Sequence, residues 1–148
     1  MKIKGSFTLQ EPIDKVWNYF VNIEEISRCI PGIDMFETID PTHFQGVLQV
    51  KIGPIKAAFG GKVTLIELEP PHRLVAEIEA DDKRNASKLK ATFVSMLHPV
   101  ANGTEVSYRV DVHLRGRLAR FGQAVVQGTA KTMIGVFSDC VRKKLIAM

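Results

Sequence analysis

GTEVSYRVDVHLRGRLARFGQAVVQGTAKTMIGVF, residues 103–137, changes its period part-way along, and that change decides the fold. Up to Leu114 the apolar side chains alternate. Val106, Tyr108, Val110, Val112 and Leu114 share one face, and Ser107, Arg109, Asp111 and His113 share the other. A period of two is that of a half-buried β-strand. Beyond Gly116 the spacing turns helical: Leu118, Phe121, Val125, Val126, Ala130, Met133, Ile134, Val136, Phe137, Val141 and Leu145 spread over more than half of the surface of one helix. One long helix is predicted there, with Gly122, Gly128 and Gly135 inside it.

Upstream of this stretch the alternation continues backwards through several segments. Phe44, Gly46, Leu48, Val50 and Ile52 form one row, and Ile55, Ala57, Phe59, Gly61, Val63 and Leu65 a second, with a turn at Gly53-Pro54 between them. Pro70-Pro71 interrupts the pattern before Leu74, Ala76, Ile78 and Ala80. Asp82–Asn85 reads as a polar turn ahead of Leu89, Ala91, Phe93, Ser95 and Leu97. Asn102-Gly103 is a strong hairpin signal, because both residues tolerate positive φ. Near the N-terminus residues 2–10 read as a first strand. Pro12 then opens a short helix carrying Ile13, Val16, Trp17, Phe20 and Val21, and residues 22–28 make a second helical piece that Pro31-Gly32 ends. Proline cannot continue a helix, and glycine turns the chain without a steric penalty.

The order is therefore strand, two short helices, about six strands and one long helix. A sheet with one apolar face must bury it, and the last helix is the only long amphipathic partner. The fold class is α+β: a curved antiparallel sheet of about seven strands wrapped on a C-terminal helix, in one domain spanning residues 1–148. At 148 residues, with 45% hydrophobic and 24% charged residues, the chain can build its own core.

Net charge is +4, but the lysines and arginines are scattered and lack interleaved aromatics, which argues against nucleic acid as a partner. A positive surface is drawn weakly to anionic lipid, so a peripheral membrane surface is a compatible partner. Cys29 and Cys140 lie far apart in the chain and form no C-x-x-C pair. With no leader pattern and no apolar run long enough to span a bilayer, a reduced cytoplasmic setting is the expectation.

Local motifs narrow the fold further. Pro12-x-x-x-Val16-Trp17, Cys29-Ile30-Pro31-Gly32, Gly53-Pro54-Ile55, Phe59-x-Gly61-x-Val63, Gly103-Thr104-x-Val106 and Gly116-x-Leu118-Ala119-x-Phe121-Gly122 follow one another in order along nearly the whole chain. The sequence resembles the carbon monoxide dehydrogenase CoxG family, within the START/Bet v 1-like helix-grip superfamily. That resemblance implies an apolar cavity and an accessory role beside a molybdenum-containing dehydrogenase, with a lipid or quinone carried at the membrane. Longer family members continue into a linker and a hydrophobic tail. No such extension follows Met148, and a tail-held tether is not expected here.

Residues suited to covalent chemistry do not cluster. His43, His72, His98 and His113 fall in separate segments, whereas a metal site needs three or four converging ligands, so no metal or other cofactor is expected. Ser95 and Ser107 lack a G-x-S-x-G elbow. Cys29 sits near a helix end, where the dipole opposes a thiolate. Counted from Phe59, Glu67 falls on the apolar face near a strand end and reads as a rim carboxylate. Catalytic residues are thus none.

Small residues carry the functional expectation. Interior helical glycines each cost about 1 kcal/mol relative to alanine. Gly128 and Gly135 recur seven residues apart, opposite Gly46, Ala57, Gly61, Ala76, Ala80 and Ala91 of the sheet. Either the helix packs closely there, or the missing side chains leave an elongated apolar cavity. The cavity is the preferred alternative, with walls at Leu48, Phe59, Ile78, Leu89, Phe93, Val125, Met133 and Phe137. Thr132, Gln127 or Ser95 would orient the ligand. Cys29, Ile30, Pro31 and Gly32 are the expected gate. A non-enzymatic carrier of a hydrophobic small molecule, partnered by a dehydrogenase complex, is the first functional reading. A polyketide cyclase-like enzyme, needing Glu67 and a histidine inside the pocket, and an interaction module with a collapsed cavity are the alternatives.

Overall fold

Each turn read between alternating segments reverses the chain, so strands adjacent in sequence pair antiparallel. The computed structural model describes residues 1–148 and opens with β1 (Lys2–Leu9), α1 (Ile13–Val21) and α2 (Ile23–Ser27). Six strands follow: β2 (Ile33–Asp40), β3 (His43–Ile52), β4 (Ile55–Glu69), β5 (Arg73–Asp82), β6 (Ser87–Val100) and β7 (Gly103–Gly116). A 3-10 helix (Arg117–Phe121) leads into α3 (Gln123–Ala147). The seven strands form a sheet in the order β1-β7-β6-β5-β4-β3-β2. The first strand is thereby joined beside the last, and α1 and α2 bridge the gap to the opposite edge.

Register places the alternating rows together. Leu48 lies opposite Phe59, Ala80 opposite both Gly61 and Leu89, and Leu89 opposite Leu114. One continuous apolar face results, with α3 across it. Lys62, Glu79, Lys90 and His113 lie side by side on the outer face, where Lys90 Nζ is 3.7 Å from Glu79.

Four details depart from the expectations above. The long helix does not run on from Gly116: Gly122, at φ 89°, divides the 3-10 helix from α3 and so lies outside the helix proper. Gly128 and Gly135 are exposed, and a Cβ built on either would meet nothing within 4 Å. Neither packs against the sheet; the open space beside Gly128 belongs to a groove between α3 and β3, whereas Gly135 borders none of the grooves described below. On the sheet side, Phe36 lies against Gly46, and the Glu79 carbonyl occupies the place a Gly61 side chain would need, so these glycines accommodate neighbours rather than empty space. Finally, a bulge between Leu65 and Glu67 shifts the register, so that Glu67 pairs with Val75 and not with the inward row. Parity counted from Phe59 fails at that point, and Glu67 faces outward in an ion pair with Arg73.

The candidate ligand cavity

Two separate apolar clusters hold α3 to the sheet, one at each end. The larger gathers Leu9, Trp17, Phe20, Leu97, Val106, Val141 and Leu145, and closes the end where α1 and the last turns of α3 meet. The smaller gathers Ile52, Ala57, Phe59 and Leu118 beneath the 3-10 helix. Between them no residue of α3 from Gln123 to Cys140 is fully buried. The inner row beneath stays half-buried at Leu48, Ile78, Tyr108, Val110 and Val112, as do Ala130, Met133 and Ile134 above it. Side chains held between a sheet and a helix keep contact with solvent only where the two stand apart. A gap under the middle of α3 therefore exists because the helix is propped at its ends.

Grooves open on both flanks of the helix. One, of about 500 Å³, lies between α3 and β3 and has Pro31, Gly32, Val50, Gly128 and Met133 in its wall, with Gln49, Lys51, Thr129 and Thr132 around the mouth. The other, of about 250 Å³, lies toward β7 and is lined by Val112, Leu114, Gly122 and Val126 among others. A larger depression of about 840 Å³ includes Lys62, Glu79, Asp81, Lys88 and Arg115, a charged surface of both signs. Only Val50 and Met133 bring large apolar side chains to the groove beside β3; the rest of its lining is proline, glycine and polar residues.

Residues 5–146 match the family model of the carbon monoxide dehydrogenase protein CoxG. The chain belongs to the CoxG family. Membership and fold together point to a ligand-binding or carrier-type protein. Among curated proteins none matches this sequence. Solved structures share its shape at low identity. A conserved protein from Geobacillus kaustophilus superposes with a TM-score of 0.91 at 22% identity, covering 99% of this chain and 96% of its own. Ara h 8.0201, a Bet v 1-like protein, gives 0.72 at 15% identity, covering 100% and 99%. A protein from Rhodobacter sphaeroides gives 0.69 at 21% identity, covering 99% and 93%. The helix-grip architecture read from the sequence is thus the one this CoxG-family chain adopts.

Within it the expected wall residues fall into distinct settings. Leu48, Ile78, Leu89 and Phe93 lie half-buried on the inner face of the sheet, and Met133 and Phe137 half-buried on α3. Phe59 is a buried member of the smaller cluster. Val125 is 37% exposed, and its neighbour Val126 packs on that cluster instead. Thr132 Oγ1 donates to the Gly128 carbonyl at 3.0 Å, which ties it to its own helix. All four histidines lie outside the buried core, and Glu67 points away from the gap. The acid–base pair that a cyclase would need inside the cavity is therefore not assembled from these residues.

The turn expected to be the gate is held at two points. Gly32, at φ 86°, accepts a backbone hydrogen bond from Gln49 N–H at 2.8 Å, and its bare α-carbon sits against the Gln49 carbonyl, where a side chain would collide. Cys29 is buried and disulfide-bonded to Cys140 of α3 across a Cα–Cα distance of 5.4 Å. This corrects the picture of two isolated thiols. A sequence separation of 111 residues hides the pair from any local motif. Tyr19 Oη stands 3.7 Å from Cys29 Sγ. Burial raises the Tyr19 pKa, as does Glu25, with Arg28 opposing them.

A polar network that sequence reading took for a simple turn secures the opposite end. Asp82 is buried at the end of β5 and accepts from Ala58 N–H at 3.0 Å, Asn85 N–H at 3.1 Å and the Asn85 side-chain amide at 2.7 Å. Burial pushes its pKa up, but these hydrogen bonds, with one from Arg84 N–H, outweigh burial and hold it below the usual value. Ser87 Oγ donates to the Asn85 carbonyl and accepts from Leu118 N–H, each at 3.0 Å. The root of the 3-10 helix is fixed in this way. The parity of Asp82 with Ala80 and Ile78 was the available signal that it faces inward.

Proposed function

We propose that this CoxG-family chain is a carrier that encloses a hydrophobic small molecule, a lipid or quinone, between α3 and the sheet. It would serve as an accessory to a molybdenum hydroxylase-type dehydrogenase. The observation that carries this reading is the divided core: two sealed ends with accessible apolar rows between them. Guests in such a space are held by apolar burial worth about 25 cal/mol per Å². A ligand of drug size occupies pockets of roughly 300–1,000 Å³, and the groove beside β3 is about 500 Å³.

Entry follows from what is and is not held. The 28–33 turn is pinned to β3 and α3, whereas the stretch of α3 from Gln123 to Phe137 has no fully buried residue. Outward movement of that stretch, between Gly122 and the anchored last turns, opens the β3 flank at the cost of the Val126 and Phe137 contacts, while the buried members of both clusters stay in place. Delivery to a redox partner near a membrane then needs only this local motion.

Protein purified from its native host and extracted with organic solvent should release an apolar compound in near-stoichiometric amount, identified by mass spectrometry. Protein that comes out empty and then fails to bind any quinone or lipid in titration would end the carrier reading.

A further inference from the structure

Ser95 Oγ is the one buried side-chain oxygen or nitrogen in the molecule without a hydrogen-bond partner. The residue is 2% exposed. It sits on the inner face of β6, opposite Leu74 on one side and Tyr108 on the other, with Phe93 and Leu97 two residues away along the strand. Leu74 and Leu97 belong to the larger cluster, whereas Phe93 and Tyr108 are only half-buried. Ser95 therefore stands where the sealed end of the core gives way to the gap beneath α3.

A serine hydroxyl offers one donor and two acceptor sites. Buried among apolar neighbours without a partner, it costs free energy, and native proteins rarely leave such a group unpaired. Local rescue is closed to it: β6 is paired on both sides, so the nearby backbone groups serve the ladders. Tyr108 does not rescue it either, because its ring leans across Gly5 toward β1, on the side away from Ser95.

We infer that Ser95 is the polar anchor of the ligand site, donating a hydrogen bond to a carbonyl oxygen at the inner end of an otherwise apolar guest. The inference rests on the carrier reading and narrows it. It selects guests carrying a hydrogen-bond acceptor at one end over plain hydrocarbons of the same shape. Thr132 is bonded within its own helix and exposed, so among the three polar groups expected to orient a ligand Ser95 is the buried one.

The test uses an isosteric pair, 2-acetylnaphthalene and 2-isopropylnaphthalene, titrated into delipidated wild-type protein and S95A and followed by fluorescence. One net hydrogen bond corresponds to a preference of about 3- to 10-fold. Wild type should favour the ketone by that factor. S95A should bind both probes alike, with the hydrocarbon no weaker than before. Thermal unfolding of the empty proteins separates the anchor from a structural role: S95A should melt at the same temperature as wild type or higher. Equal binding of both probes to wild type, or a preference that survives in S95A, would overturn the anchor and leave the carrier standing. A lowered melting temperature in empty S95A would overturn it too, by showing that the hydroxyl already has a structural partner. Failure of both probes to bind wild type would remove the carrier reading and the anchor together.

Discussion

Asp82 shows how one inward-facing polar residue can decide the behaviour of a whole corner. Its carboxylate gathers N–H donors from Ala58 and Asn85, so the fold holds the charged form in preference to the neutral one. A carboxyl with a lowered pKa stabilises the folded state fully above the unfolded value, about 4, and loses that contribution as pH falls through the folded value. Stability measured by denaturant titration should therefore drop as the pH falls below about 4. D82N should lower stability by about 2 kcal/mol at neutral pH, through lost charge-assisted hydrogen bonds. It should also flatten the acid slope, and an unchanged slope would remove Asp82 as its source. Its inward parity was visible beside Ala80 and Ile78, but its partners were not, because Ala58 comes from another strand. Glu67 teaches the converse. One bulge residue at Ile66 moves it to the other face, and nothing in the local pattern announces a bulge.

Among the elements, α3 departs furthest from what its sequence suggested. The helical period was legible, but its apolar residues spread over more than half of the helix, and only packing selects the inward stripe of Val126, Ala130, Met133, Phe137, Val141 and Leu145. Gly128 and Gly135 sit off that stripe, Gly128 at the edge of the groove beside β3 and Gly135 exposed. The gap arises instead from the two end clusters, which prop the helix while its middle goes uncovered. With free space around the added methyl, G135A should stabilise the protein by about 0.5–1 kcal/mol through better helix propensity. The denaturation midpoint should rise accordingly. A fall would mean that the backbone there is not helical in solution, or that the position is covered.

At the level of the whole molecule, the Cys29–Cys140 bond joins residues 111 apart in the chain and ties the turn after α2 to the last third of α3. Cross-links over such loops stabilise by about 2–4 kcal/mol, chiefly by restricting the unfolded chain, although native strain lowers the figure in some cases. C140S, or addition of a dithiol reductant to wild type, should lower stability by about 3 kcal/mol. For a domain of this size the melting temperature should fall by roughly 6–12 °C. A melting curve indifferent to reductant would show that the bond does not form in solution. The same measurement with ligand present reports whether the cavity survives release of the turn. No helix here is long and apolar enough to cross a membrane.

The architecture was legible because its signals are local. Alternation sets each strand, Gly53-Pro54 and Asn102-Gly103 set the turns, and the change of period after Gly116 sets the last helix, each within a few residues of chain. Even Ser95 announced its inward face through the row it shares with Phe93 and Leu97. Tertiary structure alone decided how far α3 stands from the sheet, which side its glycines face, where the β4 register slips and that Cys29 meets Cys140. Those features depend on contacts between residues far apart in the chain, where packing, register and the closing of long loops are settled together.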